Sequence, residues 1–142
     1  SGALGLEAAS RGAAEVLFVE RSRPALTVLA SNIAAVGARA VRVLARDVRG
    51  LSQSSPPAVA SVVFADPPYE WRADGVAEAL AALADRGWID PAAIVVVERP
   101  ARDGADPLPA TWQRTARRTY GETELWYGRP TSDSSAGPDE GT

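Results

Sequence analysis

Short apolar runs, each followed by an acidic residue, most constrain the fold of this 142-residue chain. Val16–Val19, Val62–Ala65 and Ile94–Val97 contain no polar side chain, as is typical of strands that are buried on both faces. Segments with helical spacing separate these runs, so the pattern predicts that strands and helices alternate. We therefore expect an α/β fold with a mostly parallel sheet.

The chain divides into a series of predicted elements and one tail. We expect one domain over residues 1–129, with no internal repeat, and a disordered acidic tail over residues 130–142. Gly37 and Gly87 each end a predicted helix. The predicted elements are helices Ala3–Ser10, Ser22–Gly37 and Asp74–Arg86, strands Val16–Glu20, Val41–Ala45, Val62–Ala65 and Ile94–Glu98, and two antiparallel strands between Trp112 and Tyr127.

The run Asp66-Pro67-Pro68-Tyr69 directly follows one of these buried strands. The carboxyl ends of parallel strands form the edge of an α/β sheet where ligands bind. Prolines lack the N–H donor, so the Asp66 carboxylate and the Pro67 carbonyl are left as acceptors, and Tyr69 offers a flat ring for stacking. This set suits a conjugated exocyclic amine on a nucleobase. A simple strand-ending turn is the alternative interpretation.

The residue types fit methylation of such an amine. Its lone pair is delocalised into the ring, and hydrogen bonds from both N–H groups to Asp66 and Pro67 would localise that lone pair on nitrogen. Catalysis would then consist of positioning and electrostatics, without a strong base.

Three further segments predict a nucleotide-like cofactor. The small residues Ser1-Gly2-Ala3 lead into a helix, where free N–H groups and close backbone approach favour ligand binding. Glu20 ends a strand 18 residues after Gly2, a spacing suited to accepting hydrogen bonds from ribose hydroxyls. Asp47 follows the next strand and could accept from an adenine amino group. Ordinary polar residues at strand ends remain the alternative for both acids.

Composition excludes several kinds of site. The chain has no cysteine and no histidine, which rules out disulfides, cysteine nucleophiles, histidine bases and the usual zinc ligands, so we expect no metal. No apolar stretch reaches about 18 residues, so we expect no membrane span. The net charge is −3, and the tail holds three acids and no arginine. Attraction to RNA would have to come from local arginines, unless these are only solvated polar groups: Arg72, Arg114, Arg117 and Arg118.

The tryptophans divide by their place in the chain. We expect Trp88 to be a core residue and Trp126 and Tyr127 to be packing residues. For Trp71, a wall of the base pocket and simple packing on the scaffold are both open. Glu98 ends a strand on the ligand edge, and the sequence alone assigns it no role.

The chain resembles the RsmD family of bacterial methyltransferases. The resemblance runs from Ser1 to about Gly128 and is carried by these segments in order: Ser1–Ala8, Glu20-Arg21-Ser22, Asp66–Tyr69 and Tyr120-Gly121-Glu122-Thr123. It implies a class I, Rossmann-like S-adenosylmethionine-dependent methyltransferase fold with an antiparallel C-terminal strand. It also implies methylation of the exocyclic N2 of a guanine in 16S rRNA, within the small ribosomal subunit or its precursor.

The resemblance also implies the site residues. The cofactor would be contacted by Ser1, Gly2, Ala3, Glu20, Arg21, Asp47, Val48 and Asp66, and the base by Asp66, Pro67, Pro68 and Tyr69. We expect a cytoplasmic monomer. Two alternatives are an adenine-N6 methyltransferase acting on DNA or RNA, and a non-catalytic cofactor-binding or ribosome-assembly module.

The family pattern has a further strand before Ser1, in the middle of the sheet. We therefore expect the chain to be a fragment of an enzyme, poorly stable and inactive by itself. Without that strand, either Val16–Glu20 or Val62–Ala65 should lose a neighbour and expose an apolar edge.

Overall fold

A computed structural model of the chain describes residues 15–20, 40–44, 59–67 and 70–130. In these residues a six-stranded sheet has the order β2-β1-β3-β4-β6-β5. Its strands are β1 (Glu15–Glu20), β2 (Ala40–Leu44), β3 (Ala60–Asp66), β4 (Ile89–Pro100), β5 (Gln113–Tyr120) and β6 (Thr123–Arg129). Helix α1 (Ala73–Asp85) lies between β3 and β4 in the chain, and a 3-10 turn (Ala101–Asp103) follows β4.

The sheet is parallel in its first four strands and antiparallel at its C-terminal end. β1 pairs with β2 and β3, and β3 pairs with β4, all in parallel. β6 runs antiparallel to both β4 and β5. This confirms the predicted parallel sheet with an antiparallel C-terminal hairpin. The predicted helices Ala3–Ser10 and Ser22–Gly37 and the tail lie outside the described residues.

The prediction of an exposed apolar edge at β1 or β3 is wrong. These two strands pair directly with each other over five residues, from Val16 opposite Val62 to Glu20 opposite Asp66. At the start of the pair the Ser61 hydroxyl donates to the Glu15 carbonyl over 2.9 Å. Each strand therefore has two strand neighbours, and the edges of the described sheet are β2 and β5.

The apolar runs are continuous because side chains of one strand are buried on both faces of the sheet. Along β3, Val63 and Ala65 pack towards α1, whereas Val62 and Phe64 pack on the opposite face. β4 alternates in the same way. Because successive side chains of a strand point to opposite faces, burial of both faces requires an unbroken apolar run.

Helix α1 covers one face of the sheet and ends where the sequence predicts. Val76, Leu80 and Leu83 are buried, as their helical spacing requires. At the C-terminus the Trp88 N–H donates to the Leu83 carbonyl and the Gly87 N–H to the Ala84 carbonyl. Gly87 has a φ of 86°, which completes a Schellman-type end that favours glycine.

The core on this side also contains three tryptophans. Trp88, Trp112 and Trp126 are buried in the same cluster as Leu83 and Val95. The prediction of Trp88 as a core residue and of Trp126 as a packing residue is thus confirmed. Within the described part of the chain, no helix is long and apolar enough to cross a membrane.

Gly128 on β6 provides a sharp test of this packing. A Cβ added there would lie 2.8 Å from both the Gln113 carbonyl oxygen and Leu108 Cδ1. We expect Gly128→Ala to lower the free energy of unfolding by about 1–3 kcal/mol, as overpacking does. Gly75→Ala is the control, because a Cβ on this α1 residue meets nothing within 4 Å and alanine favours helix.

Denaturant unfolding of both variants measures the difference. Equal stability of Gly128→Ala and the wild type would contradict the close contact between β6 and residues 108–113.

Candidate active site

The strand register brings two of the predicted site residues together. Glu20 and Asp66 are the last residues of β1 and β3 and lie opposite each other in the parallel pair. Neighbouring strands are about 4.8 Å apart, so the two backbones are adjacent at the carboxyl edge of the sheet. Asp66 is half-buried there. The predicted ribose-binding residue, Glu20, and the predicted amine-binding residue, Asp66, are thus neighbours at this edge.

Glu98 on β4 extends this edge. The pair of β3 and β4 places Ala65 opposite Val97, so Glu98 lies one position further, alongside Asp66. Both acids follow residues that pack towards α1, so both belong to the opposite face of the sheet. Sequence analysis assigned no role to Glu98, and the strand register is what associates it with Asp66.

Several predicted site residues lie outside the described part of the chain. Pro67 follows β3 directly and is half-buried, and the description resumes at Glu70. The roles predicted for all site residues stay predictions. Outside the described residues are Ser1, Gly2, Ala3, Arg21, Asp47, Val48, Pro68 and Tyr69.

A cleft of about 330 Å³ lies beside the segment that follows the motif. Trp71 and Arg72 line it together with one side of α1, including Asp74 and Glu78. Trp71 is half-buried and packs against the core, which agrees with the scaffold interpretation of this residue. The cleft is therefore a surface next to the motif that combines one aromatic ring with both signs of charge.

A buried arginine ties this segment to the sheet. Arg99 on β4 is 2% exposed, and its Nη2 donates to the Trp71 carbonyl over 2.7 Å. The same nitrogen lies 3.3 Å from Asp103 Oδ2. Sequence analysis missed this residue, although a charge within an otherwise apolar strand is a signal that could have identified it.

Two of the arginines considered for RNA contact serve the fold instead. Arg114 donates to the carbonyls of Leu108, Pro109 and Trp112 over 2.6–2.8 Å and pairs with Asp106 over 2.7 Å. Its guanidinium thereby holds the loop between β4 and β5. Both interpretations that the sequence offered for Arg114, RNA contact and a solvated polar group, miss this internal role.

Arg117 is the second arginine that donates within the fold, although its side chain is half-exposed. It donates to both carboxylate oxygens of Glu124, over 2.6 and 3.2 Å, and stacks 4.2 Å from the ring centre of Trp126. The pKa of Arg117 is raised, chiefly by the hydrogen bond to Glu124. Glu124 is only 5% exposed, so this pair keeps a nearly buried carboxylate neutralised.

Arg72 and Arg118 remain on the surface. Arg72 is largely exposed and lies 3.5 Å from Asp74, also exposed, a contact of small energetic weight. Arg118 is exposed on β5. The pKa of Tyr127 is raised, chiefly by burial, and the charge of Arg118 opposes this rise. Within the described ranges, no group of three or more acidic, histidine or cysteine side chains is arranged to hold a metal ion.

Arginines that donate within the fold and exposed arginines should differ in their effect on the free energy of unfolding. Arg114→Met removes several charge-assisted hydrogen bonds, so we expect the free energy of unfolding to fall by about 2 kcal/mol. Arg118→Ala removes an exposed side chain and should change it by less than about 0.5 kcal/mol. Denaturant titrations of both variants test this, and equal effects would contradict the internal role of Arg114.

Comparison with known proteins gives matches in sequence. A family model described as Conserved hypothetical protein 95 matches residues 1–129. The chain is 34% identical over 123 residues to ribosomal RNA small subunit methyltransferase D of Escherichia coli strain K12. That alignment covers 86% of this chain and 60% of the relative, so the chain spans three fifths of the curated relatives it matches.

Solved structures agree in fold. A protein from Haemophilus influenzae described as a methylase matches with a TM-score of 0.59 and 24% identity, covering 92% of this chain and 81% of that one. The N-methyltransferase NodS from Bradyrhizobium japonicum matches with a TM-score of 0.55 and 14% identity, covering 89% and 91%. Identities this low bear on the fold alone, and they confirm the predicted class I methyltransferase fold.

Proposed function

Because the chain belongs to the family described as Conserved hypothetical protein 95, the RsmD family that its motifs resemble, we propose that it methylates ribosomal RNA. In this proposal a methyl group passes from S-adenosylmethionine to the exocyclic N2 of a guanine in 16S rRNA. The observation that carries the proposal is the register that sets Glu20 beside Asp66 at the carboxyl edge of the sheet. The relative from Escherichia coli is named for small-subunit ribosomal RNA, which supports the choice of substrate.

The residues at this edge fit the cofactor. S-adenosylmethionine, when bound, supplies an electrophilic methyl group. Glu20 ends β1 where a carboxylate can accept hydrogen bonds from ribose hydroxyls. Ser1, Gly2 and Ala3 would bring backbone N–H groups close to the cofactor, and Asp47, with Arg21 and Val48 nearby, would contact the adenosine portion.

Asp66 and the residues after it would hold the target base. The carboxylate of Asp66 and the carbonyl of Pro67 accept the two N–H groups of the guanine amine, which concentrates its lone pair on nitrogen. Pro68 stiffens the segment, and the Tyr69 ring stacks on the base. Once the new N–C bond forms, the amine proton is acidic and leaves without a strong base. The residues thus act by orientation and electrostatics.

The partner in this proposal is the small ribosomal subunit or its assembly precursor, in the cytoplasm, and the protein acts as a monomer. Of the four arginines considered, Arg118 and Arg72 are exposed and can approach a phosphate backbone, whereas Arg114 and Arg117 donate hydrogen bonds within the fold. Such contacts would add affinity that falls with salt concentration.

Glu20→Ala tests the cofactor half of the site. Loss of a charge-assisted hydrogen bond should weaken binding of S-adenosylmethionine by about 1–3 kcal/mol, as measured by calorimetry. Asp85→Ala is the control, because Asp85 is an exposed acid at the end of α1 and its loss changes the net charge equally. Unchanged affinity in Glu20→Ala would remove Glu20 from the site.

Asp66 and Tyr69 test the base half. Asp66→Ala should lower single-turnover methyl transfer to small subunits by roughly 100-fold or more, with cofactor affinity mostly intact. Tyr69→Ala should lose more activity than Tyr69→Phe, because stacking needs the ring and not the hydroxyl. Equal losses in the two Tyr69 variants would contradict the stacking role, and an active Asp66→Ala would contradict the role of the carboxylate.

A further inference from the structure

Arg99 is a charged residue in the interior of the fold. It is 2% exposed and sits on the α1 side of β4, where Val97 on the same strand and Trp126 on β6 are buried apolar residues of that face. An arginine is almost never buried to this degree unless its guanidinium is paired. Its contacts therefore indicate what the fold gains from it.

Those contacts connect three parts of the chain. Arg99 Nη2 donates to the Trp71 carbonyl over 2.7 Å and lies 3.3 Å from Asp103 Oδ2. Across the β4–β6 pair, Arg99 is directly opposite Glu124, which is 5% exposed. Residues opposite each other in such a pair share one face, with Cβ atoms about 5 Å apart, so the two buried charges are neighbours.

The bond to the Trp71 carbonyl differs from the other contacts of β4 because its acceptor lies in a distant segment of the chain. The 3-10 turn after β4 is already held by the Ala101 N–H, which donates to the Glu122 carbonyl over 2.7 Å, and β4 is held by its strand partners. The bond to Trp71 instead reaches 28 residues back along the chain. It fixes the segment that leaves β3 at Asp66, immediately before α1 begins at Ala73.

From this geometry we infer that Arg99 is a positioning residue for the proposed active site, because it anchors the chain at Trp71 on the far side of the motif that begins at Asp66. Pairing of β3 with β1 supplies the other anchor, at Asp66. The two anchors bound the stretch that the proposed function assigns to the base. The inference rests on the proposed function for its catalytic meaning. Misplacement by about 1 Å can cost 100-fold in rate.

The chain offers a matched control in Arg114. Each of these arginines donates to a tryptophan carbonyl, Arg99 to Trp71 over 2.7 Å and Arg114 to Trp112 over 2.6 Å. Of these two arginines, Arg99 is the one whose tryptophan partner follows the motif at Asp66. Arg99→Met and Arg114→Met therefore both remove a guanidinium that donates to a tryptophan carbonyl, but at different loops.

The experiment uses the full chain labelled with 5-fluorotryptophan, with the four resonances assigned by single Trp→Phe variants. We expect Arg99→Met to shift or broaden the Trp71 resonance and to leave that of Trp112 in place. Arg114→Met should do the reverse. In single-turnover assays at saturating cofactor, Arg99→Met should lower the rate by roughly 10- to 100-fold with unchanged cofactor affinity, and Arg114→Met by less than about threefold.

Arg99→Lys is the second variant, since its ammonium group keeps the charge and can still donate one hydrogen bond to Trp71. Compared with Arg99→Met, it should show a higher rate and a Trp71 resonance closer to that of the wild type. If Arg99→Met does not fold, Arg99→Lys is compared with the wild type instead. An unchanged Trp71 resonance in the Arg99 variants, or equal rate losses in Arg99→Met and Arg114→Met, would overturn the inference.

The fluorine spectra also keep the two proposals apart. Absence of methyl transfer in the wild type would count against the proposed function. The Trp71 resonance would still decide whether Arg99 holds the segment.

Discussion

The parallel pair of β1 and β3 is the interaction on which the rest of this molecule depends. Its register sets Val16 opposite Val62 and Glu20 opposite Asp66, so the core and the candidate site are specified by the same hydrogen-bonded ladder. A slip of one residue would turn Leu17 away from the α1 side of the sheet and shift Glu20 by about 3.3 Å relative to Asp66. Burial of the apolar side chains therefore opposes a register slip and so maintains the relative positions of Glu20 and Asp66.

Hydrogen-bonded arginines organise the C-terminal half in a similar way. Arg114 holds the loop before β5, Arg117 neutralises Glu124, and Arg99 links β4 to the segment after Asp66. Arg114 and Arg117 each use several donor nitrogens at fixed angles, which a lysine could not match. Arginines considered for RNA contact on sequence grounds can thus be part of the scaffold.

The sequence predicted what depends on local periodicity. Helix α1 was expected over Asp74–Arg86 and runs over Ala73–Asp85, because its buried residues repeat every turn. The apolar centre of β4 was found, but its full length, Ile89–Pro100, was not, since pairing with β3 and β6 extends it through polar residues.

What the sequence could not predict depends on distant partners. The contact from Arg99 to the Trp71 carbonyl joins residues 28 apart and involves a backbone oxygen that every residue has. The direct pairing of β1 with β3 was likewise missed, because the family pattern suggested another strand between them. The neighbouring positions of Glu20 and Asp66 were predictable because strand ends meet at one edge of a parallel sheet.

In the proposed function, the carboxyl edge of the sheet at Asp66 directs methylation to the exocyclic amine of a guanine. The most direct measurement is to incubate the protein with small subunits and methyl-labelled S-adenosylmethionine, then digest the 16S rRNA and identify the labelled nucleoside by mass spectrometry. We expect the label to appear as N2-methylguanosine, with one labelled nucleoside in each small subunit. Label in N6-methyladenosine, or no label in RNA, would contradict the proposed function.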